Sequence, residues 1–327
     1  LNTLGITSVV NATGNLAEIG LFAALRDRGT LTVRTRTSFG AVAVQHPLTP
    51  EFLADLDKAR QLYHDDWVSA NLVKFFADGG TGLLPPLVYF ASDYEKIVME
   101  LDARGYQIMT HALRADSVHM ILDTYERVEK AHGPRDRRLR IEHADLIEPA
   151  DVPRFAKLSV IADMQPTFCC GDAGLNVTPG DQLPSDRWHS LESSGAVLAF
   201  SSDWPCTWPP DPFVSIQETA TRQAWKSDAT ADILGVPLDG AGQGGAVLTG
   251  SIYLPEERIS VADSVRAYTQ GSAFAAFSDK QVGTLEVGKL ADLAVLSQDI
   301  FSVPPETIGK TRVLTTMVGG KIVYRAP

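Results

Sequence analysis

The recurrent event along the chain is a short apolar, β-branched run that ends in polar residues and gives way to helical spacing. Such runs cover Ile6 to Ala12, Leu31 to Ser38, Leu72 to Asp78, Gln107 to Ala112, Leu139 to Ala144, Val160 to Gln165 and Val197 to Ser202. Between them, Glu51 to Leu62, Ser92 to Ala103, Asp116 to Lys130, Pro149 to Leu158 and Arg187 to Glu192 repeat apolar residues at helical intervals. Strands alternating with helices imply parallel pairing through right-handed crossovers, and continuous apolar character implies burial on both faces. The expected fold class is therefore α/β, with about seven βα units, one short of the eight that close a TIM barrel.

After Trp204 the pattern changes. Pro205 to Pro212 is proline-rich, Asp211 to Gln223 reads as a helix, and LDGAGQGGAVLTG is a glycine-rich excursion. No strand feeds those glycines and no GK[ST] follows them, so they read as a surface loop rather than a phosphate cradle. Ser260 is placed to cap a helix over SVADSVRAYTQGSAFAAF that would close the barrel from outside. The tail, GTLEVGKLADLAVLSQDIF and TRVLTTMVGGKIVY, reads as strands separated by turns. The expected division is a barrel over 1–278 and a small β unit over 279–327.

Composition narrows the partners. Of 327 residues, 44% are hydrophobic and 21% charged, and no apolar run approaches the roughly 20 residues of a membrane-spanning helix. With 29 Lys and Arg against 40 Asp and Glu the net charge is -11, so a phosphate backbone meets overall repulsion. Neither a nucleic acid nor a membrane is an expected partner. Cys169, Cys170 and Cys206 form neither a disulfide framework nor paired zinc motifs, and fit a reducing compartment or small apolar packing. The cytoplasm is the expected setting, with secretion left open because the first residue is Leu1 and not Met.

In a barrel of this class chemistry sits at the C-terminal strand ends, and four ends carry ligand-type residues. Lys74 lies inside LVKFFADG, His111 ends QIMTHA, His143 ends LRIEHAD and Asp203 follows VLAFSSD. An ammonium among Val73, Phe75 and Phe76 needs a partner. It either pairs with a carboxylate such as Asp78 or becomes a carbamate that gives oxygen ligands to a metal. The two histidines are hydrogen-bonded structural groups or, as a pair on separate strands, metal ligands. Asp203 caps a turn, or binds a metal and takes the proton of attacking water. His46, His64, His119, His132 and His189 fall in loops or helical stretches and read as structural.

The ordered set KFFADG, THA, RLRIEHAD, RWHSLESSGAVLAFSSDWP, VGTLEVGKLADLAVL and MVGGKIVY resembles the amidohydrolase superfamily, in particular amidohydrolase family 3 with its N-substituted formamide deformylases and exoenzyme regulatory proteins. The resemblance runs along nearly the whole chain. It implies a distorted TIM (β/α)8 barrel, a small β-sandwich, and one or two divalent metals, usually zinc, that activate water to hydrolyse C–N bonds. By the same resemblance Lys74 corresponds to a carboxylated lysine bridging the metals, His111 and His143 to metal ligands, and Asp203 to the catalytic aspartate. Phe168 and Trp204 stand where they would line a substrate pocket.

Two departures accompany the resemblance. The family's first strand ends in His-x-His, a pair this sequence lacks, so the expectation is a barrel without its first strand that holds at most one metal. Arg114, in ALRADS, stands where the family has glycine, which calls the local loop geometry and substrate access into question. Two functions compete. One is a metal-dependent amidohydrolase acting on an amide or formamide-like bond of a small molecule, and the other is a catalytically impaired relative that binds or regulates. An open sheet edge also makes a homo-oligomer an expectation.

Overall fold

The computed structural model describes residues 1–41, 46–78, 89, 91–169, 183–207, 209–224 and 252–327. Seven strands form one all-parallel sheet in sequence order: β1 (Ser8–Gly14), β2 (Arg34–Gly40), β3 (Val68–Phe76), β4 (Gln107–Ala112), β5 (Arg140–His143), β6 (Ile161–Met164) and β7 (Leu198–Phe200). This is the expected α/β barrel framework, with seven units. Connecting helices include α1 (Leu16–Asp27), α2 (Pro50–Leu62), α3 (Ala91–Ala103), α4 (Ala115–His132), α5 (Val152–Lys157), α6 (Trp188–Ser193) and α7 (Pro212–Thr221).

Local sequence fixes several helix starts. Asn15, Thr49 and Asp211 each accept a backbone N–H of the first turn, and Pro50 and Pro212 occupy the first helical position, where the absent N–H costs nothing. Helix α1 lies outside the expected elements, because LAEIGLFAALRD is apolar nearly all round and has weak periodicity. Ile19 and Ala23 face the core, whereas Leu21 and Leu25 are exposed. Helix α5 is shorter than the expected span from Pro149 to Leu158. The glycine-rich run 238–250 and Cys170 lie outside the described residues. Cys206 is free and exposed. Cys169 is buried and disulfide-bonded, a departure from its reading as simple apolar packing.

Strand alternation sorts the sheet into two faces. Val73, Phe75, Ile108 and Ile141 belong to the main apolar core. On that side Phe75 meets Tyr94 edge-on at 5.8 Å, and Thr110 bonds the hydroxyls of Tyr94 and Tyr125, which brings in α3 and α4. The opposite, inner face carries polar residues in register. His111 pairs with Glu142 and Glu142 with Asp163 across neighbouring strands. Arg140 binds both Glu142 oxygens at 2.9 and 3.0 Å and Asp163 at 2.7 Å, all three side chains being nearly fully buried.

The β7 side of the sheet is covered by its own chain. Ser260 caps α8 (Val261–Arg266), as expected, and the chain continues through a π-helical turn, Ala267–Gly271, into α9 (Ser272–Ala275). Ser272 Oγ donates to the Phe200 carbonyl at 3.0 Å. Gly271 passes so close to β7 that a Cβ there would overlap the Leu198 carbonyl oxygen. Gly271→Ala is expected to cost about 1–3 kcal/mol by overpacking, read as a lowered melting temperature; an unchanged melt would contradict this close approach.

The tail forms the expected small β unit, an antiparallel sheet of β8 (Leu293–Leu296), β9 (Val313–Val318) and β10 (Lys321–Arg325) in the order β10-β9-β8. It packs on α7 through Phe213 and Ile216 against Ile300, Ile308 and Val313. The chain start joins it where Thr316 Oγ1 donates to the Asn2 carbonyl at 2.7 Å. Among the described residues no helix is long and apolar enough to cross a membrane.

Candidate active site

Lys74 sits on the inner face of β3 and is 4% exposed. The pair with Asp78, one of the two alternatives for this lysine, does not form. Asp78 instead accepts the backbone N–H groups of Leu113 and Arg114 at the entry to α4, at 3.1 and 3.0 Å, and its Oδ1 lies 3.4 Å from His111 Nε2. Among the described residues Lys74 has no ion pair within 4.0 Å, and its ammonium end stands 5.1 Å from the Phe76 ring centroid. Burial pushes its pKa down, with Arg140 adding to that, while Glu142, Asp203 and Asp163 pull the other way. A lysine so placed is neutral at lower pH than an exposed one.

His111 ends β4 on the inner face, with its ring 5.0 Å from Phe76. His143 ends β5, where simple alternation with Glu142 would turn it outward. Instead His143 and Ala144 both adopt left-handed backbone, with φ of 68° and 51°, a conformation that costs non-glycine residues of order 1–3 kcal/mol each. The Ala144 N–H donates to the Ala112 carbonyl at 3.0 Å, which holds the kink against β4. As a result the His143 ring meets His111 edge-on at 4.5 Å and Phe168 at 5.9 Å. Burial, then the nearby His111 and Lys74, push the His143 pKa well below the ordinary histidine value, so the ring is neutral and its lone pair is available. Its Nδ1 is buried without a hydrogen-bond partner.

Asp203 follows β7, also with left-handed backbone, φ 53°. Burial raises its carboxyl pKa, opposed by the charges of Lys74 and His111, which places all three in one electrostatic neighbourhood. Phe168 lies against His143, whereas Trp204 is 54% exposed at the rim. Arg114 has φ −90° and ψ 145°, ordinary extended backbone, and clamps Asp116 through two nitrogens at 3.0 and 2.9 Å. That backbone conformation does not require a glycine.

Beneath these groups lies what the sequence reading missed. Glu142, with a carboxyl pushed up to about 7 by burial, is countered by Arg140 and Lys74, and Asp163 accepts from Ser201 Oγ at 2.9 Å. The signal was present as polar residues at alternate positions of apolar strands, Arg140 and Glu142 in RLRIEH and Asp163 in IADM.

Among the described residues, no group of three or more His, Cys, Asp or Glu stands ready to hold a metal ion. The donors that fit one are the adjacent imidazoles of His143, with its orphaned Nδ1, and His111. Oxygen donors would have to come from a modified Lys74 and from Asp203.

A parallel, strand-ordered sheet with polar groups gathered at its C-terminal ends defines the class as a TIM-barrel framework. The amidohydrolase family profile matches residues 1–324, and the chain belongs to that family. It is 33% identical over 294 residues to Protein LONG AFTER FAR-RED 3 of Arabidopsis thaliana, covering 83% of this chain and 46% of that protein. It is 25% identical over 242 residues to N-substituted formamide deformylase of Arthrobacter pascens, covering 72% and 40%. An uncharacterized metal-dependent hydrolase from Pyrococcus horikoshii has the same fold, with a TM-score of 0.66 at 21% identity over 91% of this chain and 57% of that one. The chain thus spans less than half the length of these curated relatives.

Proposed function

We propose that the chain supplies the catalytic rim of a metal-dependent hydrolase that cleaves an amide or formamide-like C–N bond of a small molecule. The observation that carries this reading is the pair of neighbouring imidazoles at 4.5 Å, one turned inward by strained backbone and left with a buried, unpaired Nδ1. Strain kept at a strand end is a mark of function.

His111 and His143 would hold a divalent cation, zinc by its preference for imidazole. Lys74 would join them as a carbamate: the neutral amine that burial favours adds carbon dioxide, forms an N–C bond and releases a proton. When bound, the cation brings the pKa of water toward about 7 and polarises the scissile carbonyl. The raised pKa of Asp203 suits a group that accepts the proton of the attacking water and returns it to the departing nitrogen. Phe168 offers an apolar wall beside His143, and Trp204 borders the entrance.

A second reading, a relative that binds without turnover, is favoured by the lack of a three-member His, Cys, Asp or Glu group among the described residues. Turnover of a panel of N-formyl and N-acyl amines separates the two. The full chain supplied with zinc and bicarbonate is expected to release free amine in a zinc-dependent manner. Zinc binding without release would favour the binding relative.

A further inference from the structure

We propose that Asp78 is a positioning residue that fixes His111 in its Nε2–H tautomer and so presents Nδ1 as the ring nitrogen available to a ligand. The proposal deepens the reading of the same rim, yet the tautomer can be measured without any metal. Asp78 is fully buried, and its carboxylate is pinned by the backbone N–H groups of Leu113 and Arg114. Those two residues directly follow the end of β4, and the Ala77 N–H donates to the His111 carbonyl at 2.9 Å. Asp78 and His111 are therefore held to each other through short stretches of backbone rather than through flexible side chains.

The electrostatics at that contact select one tautomer. His111 Nε2 is buried and lies 3.4 Å from Asp78 Oδ1, without the geometry of a full hydrogen bond and without another partner among the described residues. The Asp78 carboxylate accepts the backbone N–H groups of Leu113 and Arg114, contacts that favour its ionised form. A bare Nε2 lone pair facing this anion would be repelled, whereas an Nε2–H is attracted and shortens the contact. With the proton on Nε2, Nδ1 becomes the acceptor of a ring that meets His143 edge-on. An imidazole whose far N–H is held by a carboxylate is oriented and made a better donor, and loss of such a partner typically costs about 10–100-fold in metal affinity.

The test is nitrogen NMR on the full chain labelled with 15N-histidine, with His111→Gln used to assign the resonance. The wild type is expected to show the His111 proton on Nε2. Asp78→Asn, folded by circular dichroism, should lose that preference and bind zinc about 10–100-fold more weakly. A purely structural Asp78 would lower the melting temperature and leave the tautomer unchanged. A wild-type His111 carrying its proton on Nδ1, or an Asp78→Asn variant with an unaltered tautomer, overturns the proposal; if that variant does not fold, the wild-type spectrum decides alone. Failure of the wild type to bind zinc, with the Nε2–H form intact, would instead count against the hydrolase reading.

Discussion

Replacing His143 with alanine is expected to abolish stoichiometric zinc binding and lower kcat/KM by at least about 100-fold, since loss of a group that merely supports a metal ligand already costs about 10–100-fold. The protein itself should not unfold. The substitution removes a ring whose Nδ1 has no hydrogen bond to lose, and although alanine is less favoured than histidine in the left-handed backbone at φ 68°, that added strain is small against the stability of the whole fold. Zinc content and turnover are the readouts, with circular dichroism as the check on folding. If His143 were only a packing residue, the variant would lose stability and keep its activity.

The second large effect concerns stability. Arg140→Ala strands two buried carboxylates, Glu142 and Asp163, which now share one guanidinium at 2.7–3.0 Å. Breaking a buried ion group from one side costs about 3–5 kcal/mol, whereas exchanging the whole group for apolar residues of similar volume is often neutral. Urea denaturation should therefore show a midpoint shift for Arg140→Ala with little change in slope, and a smaller shift for a triple apolar replacement. A loss of under about 1 kcal/mol in Arg140→Ala would mean that the three groups do not depend on one another.

These two residues also show how far the sequence can be read. The parallel order of the strands was legible because short runs bounded by polar residues alternate with helical spacing, although β2 (RTRTSFG) and β5 (RIEH) are themselves rich in polar residues, and Lys74 and His111 stood out as polar interruptions near strand ends. The inward position of His143 was not legible. Period-two alternation points it the other way, and only the paired left-handed residues His143 and Ala144, held by the Ala112 carbonyl, reverse it. The partner of Asp78 was not legible for a related reason. Proximity in sequence suggested Lys74, but strand β3 ends at Phe76 and the chain then carries Asp78 across to the N-terminal end of α4. Helix α1 escaped notice because its apolar residues are spread around the helix instead of along one face.

The most direct test of the account is the amount of zinc retained by the full wild-type chain after equilibration with zinc and bicarbonate and exhaustive dialysis. The proposed site of His111, His143 and Lys74 predicts about one zinc per chain, lost in His143→Ala, as for a site with three protein ligands. A correctly folded wild type that retains none, or a His143→Ala variant that retains as much, would contradict it.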